Sequence, residues 1–242
     1  DEWGRRIRDG LETEGVEISG LRVVPGGRSA SSVIVVDTET GRRAIAAFAG
    51  VAPAPTLAPE DLERCAATQW VHVDQAGYPT LSELRRAGIR TPVSLDAGNP
   101  IPGLDLGGIA LYSPTESALR STFGGDAHEA LRRALAAGAG TAVVTRGAAG
   151  SLAAQADQTV PGGVRFTSVP VPEVRPIVST LGAGDVFHGA LLAALAGGRG
   201  LVDALHYANA AAALSCRALD GRSGIPSPAE VEALLERGRG QP

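Results

Sequence analysis

The stretch Ser179-Thr180-Leu181-Gly182-Ala183-Gly184-Asp185, running straight into the apolar Val186-Phe187-His188-Gly189-Ala190-Leu191-Leu192, is the most informative in the chain. Two glycines let the backbone turn sharply at the mouth of a helix. Free N–H groups and the helix dipole there make a site for an anion. Asp185 then falls in the first helical turn, one residue past the second glycine. An acidic residue at that place is also an ordinary helix start, because the same dipole favours it.

On the N-terminal side of this stretch, short apolar strands alternate with helical stretches. Trp70-Val71-His72-Val73, Pro92-Val93-Ser94-Leu95, Ile109-Ala110-Leu111-Tyr112 and Thr141-Ala142-Val143-Val144-Thr145 read as strands, with a helix over 79–88 between the first two. This alternation predicts a mostly parallel sheet covered on both faces, so the class is α/β. Strand-like pieces recur without helices over 149–169, and helices follow over 183–196, 200–218 and 228–237. Before the proline-rich link Val51 to Pro59 the pattern differs. An amphipathic helix is expected over 2–14, ended by Gly15. It is followed by β-branched stretches at 17–24, 31–37 and 43–48, the last two joined by the polar turn Thr38 to Arg42. This part reads as a small antiparallel strand group.

Ligands of open parallel sheets bind where strands run into helices, at the strands' carboxyl ends. Thr145-Arg146-Gly147-Ala148-Ala149-Gly150 puts a hydroxyl, a guanidinium and two glycines directly after a strand, a composition suited to a phosphate chain. A plain glycine hairpin is the alternative. Ser113-Pro114-Thr115-Glu116 follows another strand and has the spacing of a capping box, with Ser113 as the cap. A functional Glu116 has to lie near a metal or its water. Asp96-Ala97-Gly98-Asn99-Pro100 reads as a turn. His188 and His206 have no partner at metal-ligand spacing and read as packing or surface residues. Three phosphate-suited loops on strand ends that the sheet would gather together favour a shared site.

Composition narrows the partners. The chain has 242 residues, 44% of them hydrophobic and 20% charged, enough for one core with a small appendage. A net charge of −4 without a basic-aromatic cluster argues against nucleic acid and leaves small molecules as the expected ligands. The run Ala190 to Ala196 is far shorter than the ~20 apolar residues of a membrane span, and no leader segment is visible. Two distant cysteines, Cys65 and Cys216, fit neither a disulfide framework nor a metal motif, so reduced thiols and a cytoplasmic location are expected. All 22 basic residues are arginines. The absence of lysine removes the Gly-x4-Gly-Lys phosphate loop and any Schiff-base mechanism. A dinucleotide oxidoreductase is disfavoured too, for want of a Gly-x-Gly-x-x-Gly unit after an early strand. The chain has no methionine and opens directly on a helix, and is expected to begin part-way through a longer protein.

Together these motifs resemble the ribokinase-like (PfkB) carbohydrate kinases. The signature Asp-Thr-x-Gly-Ala-Gly-Asp of that family is matched by Ser179 to Asp185 except at its first position. Its Thr-x-Gly-x-x-Gly loop is matched by Thr145, Gly147 and Gly150, and its Asn-x-x-Glu motif in part by Ser113 and Glu116. The segments Ala208-Asn209-Ala210-Ala211-Ala212 and Gly221-Arg222-Ser223-Gly224-Ile225-Pro226 look like those that wrap the adenine and close the site. Gly184 to Leu191 and Ser29 to Asp37 look nearest to the sulfofructose kinase branch, although Gln75 stands where a sulfonate-binding arginine is expected.

The resemblance implies a three-layer α/β/α fold with a mostly parallel sheet and a small β lid near 17–50, which often pairs two subunits in relatives. It implies ATP with Mg2+ and, in some members, a monovalent cation; serines at 113 and 179 suggest that this chain handles nucleotide or ion differently. Asp185 would be the base, and the N–H groups of Gly182, Ala183 and Gly184 the anion hole for phosphoryl transfer. Ser113, Glu116, Thr145, Arg146, Gly147, Gly150, Asn209 and Gly221 would hold the nucleotide, Glu116 reaching Mg2+ through water. Arg28, Ser29 and Gln75 would face the sugar. It further implies a segment ahead of residue 1 with the first strand and a Gly-Gly sugar contact. The same motifs serve a nucleoside kinase, although only 4% of residues are aromatic, or a degenerate nucleotide or sugar sensor.

Overall fold

A computed structural model describes residues 1–36, 43–51 and 55–239. The expected turn Thr38 to Arg42 and part of the Val51 to Pro59 link lie outside the described residues. The chain divides into two compact units, Asp1–Asp61 and Leu62–Pro242.

In the first unit, helix α1 (Glu2–Thr13) is capped by Asp1, whose carboxylate accepts the Gly4 N–H at 2.8 Å. Strands β1 (Ser31–Val36) and β2 (Arg43–Phe48) pair antiparallel, with Ser31 opposite Phe48 and Ile34 opposite Ile45. The strand expected over 17–24 does not form. The Glu17 carboxylate accepts both the N–H and the hydroxyl of Ser19 (2.7 and 2.9 Å), and Leu21 N–H closes a turn on Ile18. A second turn, Gly27 N–H to Val24 carbonyl, follows at once. Local side-chain hydrogen bonds win here, where no strand among the described residues offers this segment a ladder.

The second unit carries one six-stranded sheet: β3 (Val71–Val73), β4 (Val93–Ala97), β5 (Ile109–Pro114), β6 (Thr141–Thr145), β7 (Ser151–Ala156) and β8 (Val164–Val169), adjacent in that order. The first four run parallel; β7 pairs antiparallel with β6, and β8 pairs antiparallel with β7. Helix α2 (Pro59–Ala67) precedes the sheet, and it was not foreseen because it begins on the last proline of the link. The helix read over 79–88 is a 3-10 turn (Tyr78–Thr80) continued by α3 (Leu81–Arg86). Helices α4 (Glu116–Phe123) and α5 (Ala127–Ala136) are separated by Gly124 and Gly125, both at positive φ, with Asp126 capping α5. The C-terminal part holds α6 (Ala183–Ala196), α7 (Leu201–Ser215) and α8 (Pro228–Arg239).

Helices α6 and α7 bury Phe187, Leu191, Ala204, Leu205 and Ala208 on one face of the sheet, against Leu111, Val143, Ala153 and Val169. Large apolar side chains buried in this way each contribute about 1.5–3 kcal/mol. Side chains alternate across a strand, so Ala142 and Val144 turn to the opposite face, where α5 packs on β6 and β7. The result is the expected α/β/α layering. Tyr112 is almost wholly buried and meets the Phe123 ring edge-on, and burial pushes its phenol up to about 12. Among the described residues no helix is long and apolar enough to cross a membrane.

Candidate functional site

The carboxyl ends of the parallel strands are stitched together. Asp96 lies beside Ser113 and Ala97 beside Pro114 across β4 and β5. Thr115 donates its hydroxyl to the Gly98 carbonyl at 3.0 Å and bridges in parallel to Thr145 at the end of β6. This row corrects the capping-box reading. Ser113 continues β5 and is buried, with its Oγ lacking a hydrogen-bond partner among the described residues. Thr115 is the cap of α4, its Oγ1 accepting the Ala118 N–H at 3.2 Å. Strand pairing with β4 persists two residues further than the spacing suggested, so Glu116 opens the helix. Its carboxylate pairs with Arg120 at 2.8 Å.

The Thr145–Gly150 loop joins two antiparallel strands through a 3-10 turn (Gly147–Ala149), so the glycine hairpin is present. Gly147 and Gly150 both stand at positive φ, +56° and +81°. The Arg146 guanidinium braces the loop, donating to Ser168 Oγ at 2.8 Å and to the carbonyls of Ala149 and Ser151 at 3.3 Å. Asn209 on α7 is 3% exposed. Its amide donates to Ser151 Oγ (3.1 Å) and the carbonyls of Val169 (3.0 Å) and Pro170 (3.4 Å), which commits these donors to fastening α7 against β7 and β8.

Gly182 heads α6 in the left-handed region (φ +74°) without any side-chain cap, which leaves the leading N–H groups uncovered by a side chain. A Cβ at Gly182 would sit 2.9 Å from the Gly221 Cα, so the two glycine loops touch backbone to backbone. A Cβ at Gly184 would meet nothing within 4 Å. Asp185 is exposed and has no hydrogen-bond or ion-pair partner among the described residues. The Ser179 hydroxyl accepts the Leu181 N–H at 3.1 Å and so shapes the approach to the turn.

One turn beyond Asp185, His188 is buried and its Nδ1 lies 2.6 Å from Asp96 Oδ2. Of the surface and packing readings of His188, the first is overturned and the second holds, with a specific polar partner added. Asp96 comes from β4 and the neighbouring His72 ring from β3, which spacing along the chain could not reveal. Asp96 does make the expected turn, its Oδ1 accepting the Gly98 N–H at 2.9 Å, and uses the other oxygen for His188. Burial pushes the Asp96 carboxyl up, but the His188 hydrogen bond and charge and the Gly98 N–H together hold it below its ordinary value. Burial and the neighbouring His188 hold His72 on β3 below its usual value; the charges of Asp96, Asp74 and Asp185 oppose this. Asp185 therefore lies within electrostatic reach of the β3 strand end. Gln75, in the loop after β3, accepts from the Asn99 amide at 3.5 Å. Arg28 and Ser29 belong to the first unit. There the Arg28 guanidinium lies 5.0 Å over the Phe48 ring, and Ser29 donates its N–H and hydroxyl to Asp1, each at 2.8 Å.

A family model for the pfkB family carbohydrate kinases matches residues 1–228. A ribokinase of Bacillus subtilis is 42% identical over 79 residues, which are 30% of this chain and 27% of that relative, so the match spans about a quarter of the relative's length. The crystal structure of a ribokinase from Thermotoga maritima superposes with a TM-score of 0.80 at 26% identity, covering 98% of this chain and 78% of the other. That of Arabidopsis thaliana ribokinase complexed with ribose and ATP gives 0.77 at 24% identity, over 92% and 74%. The family and fold expected from the motifs are borne out.

Proposed function

Because the chain belongs to the pfkB family of carbohydrate kinases, we propose that it transfers the γ-phosphoryl group of ATP to a hydroxyl of a small sugar or sugar derivative. The observation that carries this reading is the unpartnered Asp185 carboxylate on the uncapped glycine turn of α6, beside the gathered strand ends. In the reaction Asp185 orients the acceptor hydroxyl and takes its proton as the oxygen attacks. The N–H groups of Gly182, Ala183 and Gly184 face the charge that develops on the transferring group, where fixed dipoles stabilise it without reorganisation.

The residues present fit a nucleotide. The open space over Gly147 and Gly184, where a Cβ would meet nothing within 4 Å, leaves room for phosphates. Thr145, Gly147 and Gly150 line that approach, Arg146 and Asn209 hold its hairpin in shape, and Gly221 closes against Gly182. Glu116 would turn from Arg120 to hold Mg2+ through water, with Ser113 beside it at the strand end. When bound, ATP would supply the electrophilic phosphoryl group and Mg2+ would offset its negative charge. Arg28, Ser29 and Gln75 are the sugar contacts of this reading, and a sulfosugar belongs among the acceptors to be tried. The test is ADP release from Mg-ATP, with and without K+, across hexoses, sugar acids, sulfosugars and nucleosides. Strong stimulation by one sugar is expected; retained ATP binding with no stimulation by any acceptor overturns the kinase in favour of a sensor.

The first unit serves, in this reading, as a β lid within a single ribokinase-like domain, and its sheet pairs with a second copy of the chain. Val33 (67% exposed), Val35 (64%) and Phe48 (40%) share one face of the β1–β2 pair. Replacing Val33 and Val35 together by Asp should convert a dimer to a monomer in sedimentation; a dimer that survives the change removes this face from the interface.

A further inference from the structure

Three side chains from three separate elements meet near the head of α6. One ligand atom each of His72, Asp96 and His188 can be chosen so that all lie within 4.8 Å of one another. The group is already organised around its edges. Ser94 Oγ lies 3.2 Å from His72 Nδ1, which orients that ring and leaves its Nε2 available. The Gly98 N–H holds one oxygen of Asp96. Hydrogen bonds of this kind fix ligand geometry around known metal centres.

His188 carries the second, independent observation. The residue is 6% exposed, and its Nε2 is buried with no hydrogen-bond partner among the described residues. An unsatisfied buried ring nitrogen is a costly feature, which an occupant would relieve. His72, by contrast, is exposed, so the group has an access path from solvent.

We propose that His72, Asp96 and His188 form a binding site for one divalent transition-metal ion of the zinc class. Two imidazoles and one carboxylate suit Zn2+, Co2+ or Ni2+, whereas Mg2+ prefers an all-oxygen shell with several waters. Where all three side chains ligate, a fourth position stays open to water or an incoming group. If Asp96 Oδ2 and His188 Nδ1 ligate directly, the ion replaces the proton they share, and the two atoms separate from 2.6 Å to about 3.4 Å, the spacing of neighbours in a tetrahedron of ordinary Zn ligand distances. Alternatively, and this is the arrangement that satisfies the buried Nε2, His188 ligates through Nε2 while Asp96 stays on Nδ1 and orients the ring, as in carboxylate–histidine–metal triads. His72 and His188 are then the direct protein ligands, and water completes the shell. Both arrangements use the same three residues. The site is distinct from the Mg2+ of the nucleotide and does not rest on the kinase reading.

The test is a titration of the chelator-stripped chain with zinc chloride against a chromogenic chelator, with metal content per chain measured after gel filtration. One zinc per chain is expected, undisturbed by millimolar magnesium chloride. His72→Ala should weaken binding by at least about a hundredfold, beyond the ~10–100-fold typical of losing an outer partner. Since His72 is exposed, that variant keeps its fold and stays informative even where His188→Gln does not. Cobalt chloride should add the visible absorption of a low-coordinate centre, absent from Asp96→Asn. No zinc retained by the parent chain, or zinc retained equally by His72→Ala, overturns the site.

Discussion

Replacing Asp185 by Asn is expected to lower kcat by at least about a hundredfold while ATP binds almost as tightly as before, since a positioned general base contributes ~10²–10⁴. Asn has nearly the same shape and is well tolerated at the start of a helix, so α6 and its glycine turn should be kept. Among the described residues Asp185 makes no ion pair whose loss would disturb the fold. What disappears is the ability to accept the acceptor's proton. Steady-state ADP release with the best acceptor, set beside calorimetric ATP titration of both proteins, separates the two effects. Unchanged turnover would remove Asp185 from the mechanism, and a matching loss of ATP affinity would make it a nucleotide ligand instead.

Gly150→Ala should be the most damaging single-methyl change in the sheet. Gly150 has φ +81° and ψ −140°, backbone that side-chain-bearing residues rarely adopt, at about 1–3 kcal/mol of strain. An added Cβ would also drive into the Val169 carbonyl oxygen and lie 2.9 Å from the Pro170 Cα. Overpacking of this sort costs about another 1–3 kcal/mol, for a total of about 2–6 kcal/mol. The same methyl group would push against the Val169 and Pro170 carbonyls that Asn209 fastens, so the loop, β8 and α7 are disturbed together. Urea unfolding followed by Trp70 fluorescence in a Trp3→Phe background reads the second unit alone. A midpoint equal to the parent's would mean the backbone relaxes here at no cost.

The parallel strands were legible because short β-rich apolar segments alternate with helical stretches, and the two long C-terminal helices because they are rich in Ala and Leu and begin after Gly182 and Gly200. The glycine-rich turn before Asp185 was legible for a related reason: only glycine takes the φ of +74° that Gly182 has against the Gly221 backbone. Local chemistry misled where two local solutions compete. At 17–24 β-branched residues pointed to a strand, but Glu17 and Ser19 close a turn and no strand pairs with this segment among the described residues. At 113–116 the spacing suited a capping box, yet two more residues joined the β5 ladder and passed the cap to Thr115.

Amino-acid order alone specified the layer class, the strand-end loops and the acidic residue on the glycine turn of α6, since these depend on periodicity and on the few residues that tolerate positive φ. Which side chains meet was settled only by the sheet. Parallel neighbours are joined by long crossovers, so His72, Asp96 and His188 converge from distant positions, and Asn209 reaches Ser151 across a helix–sheet interface. Contacts of that range leave no spacing in the chain; they arise because strand pairing and helix packing bury the same apolar faces and carry the polar residues at their ends to one edge.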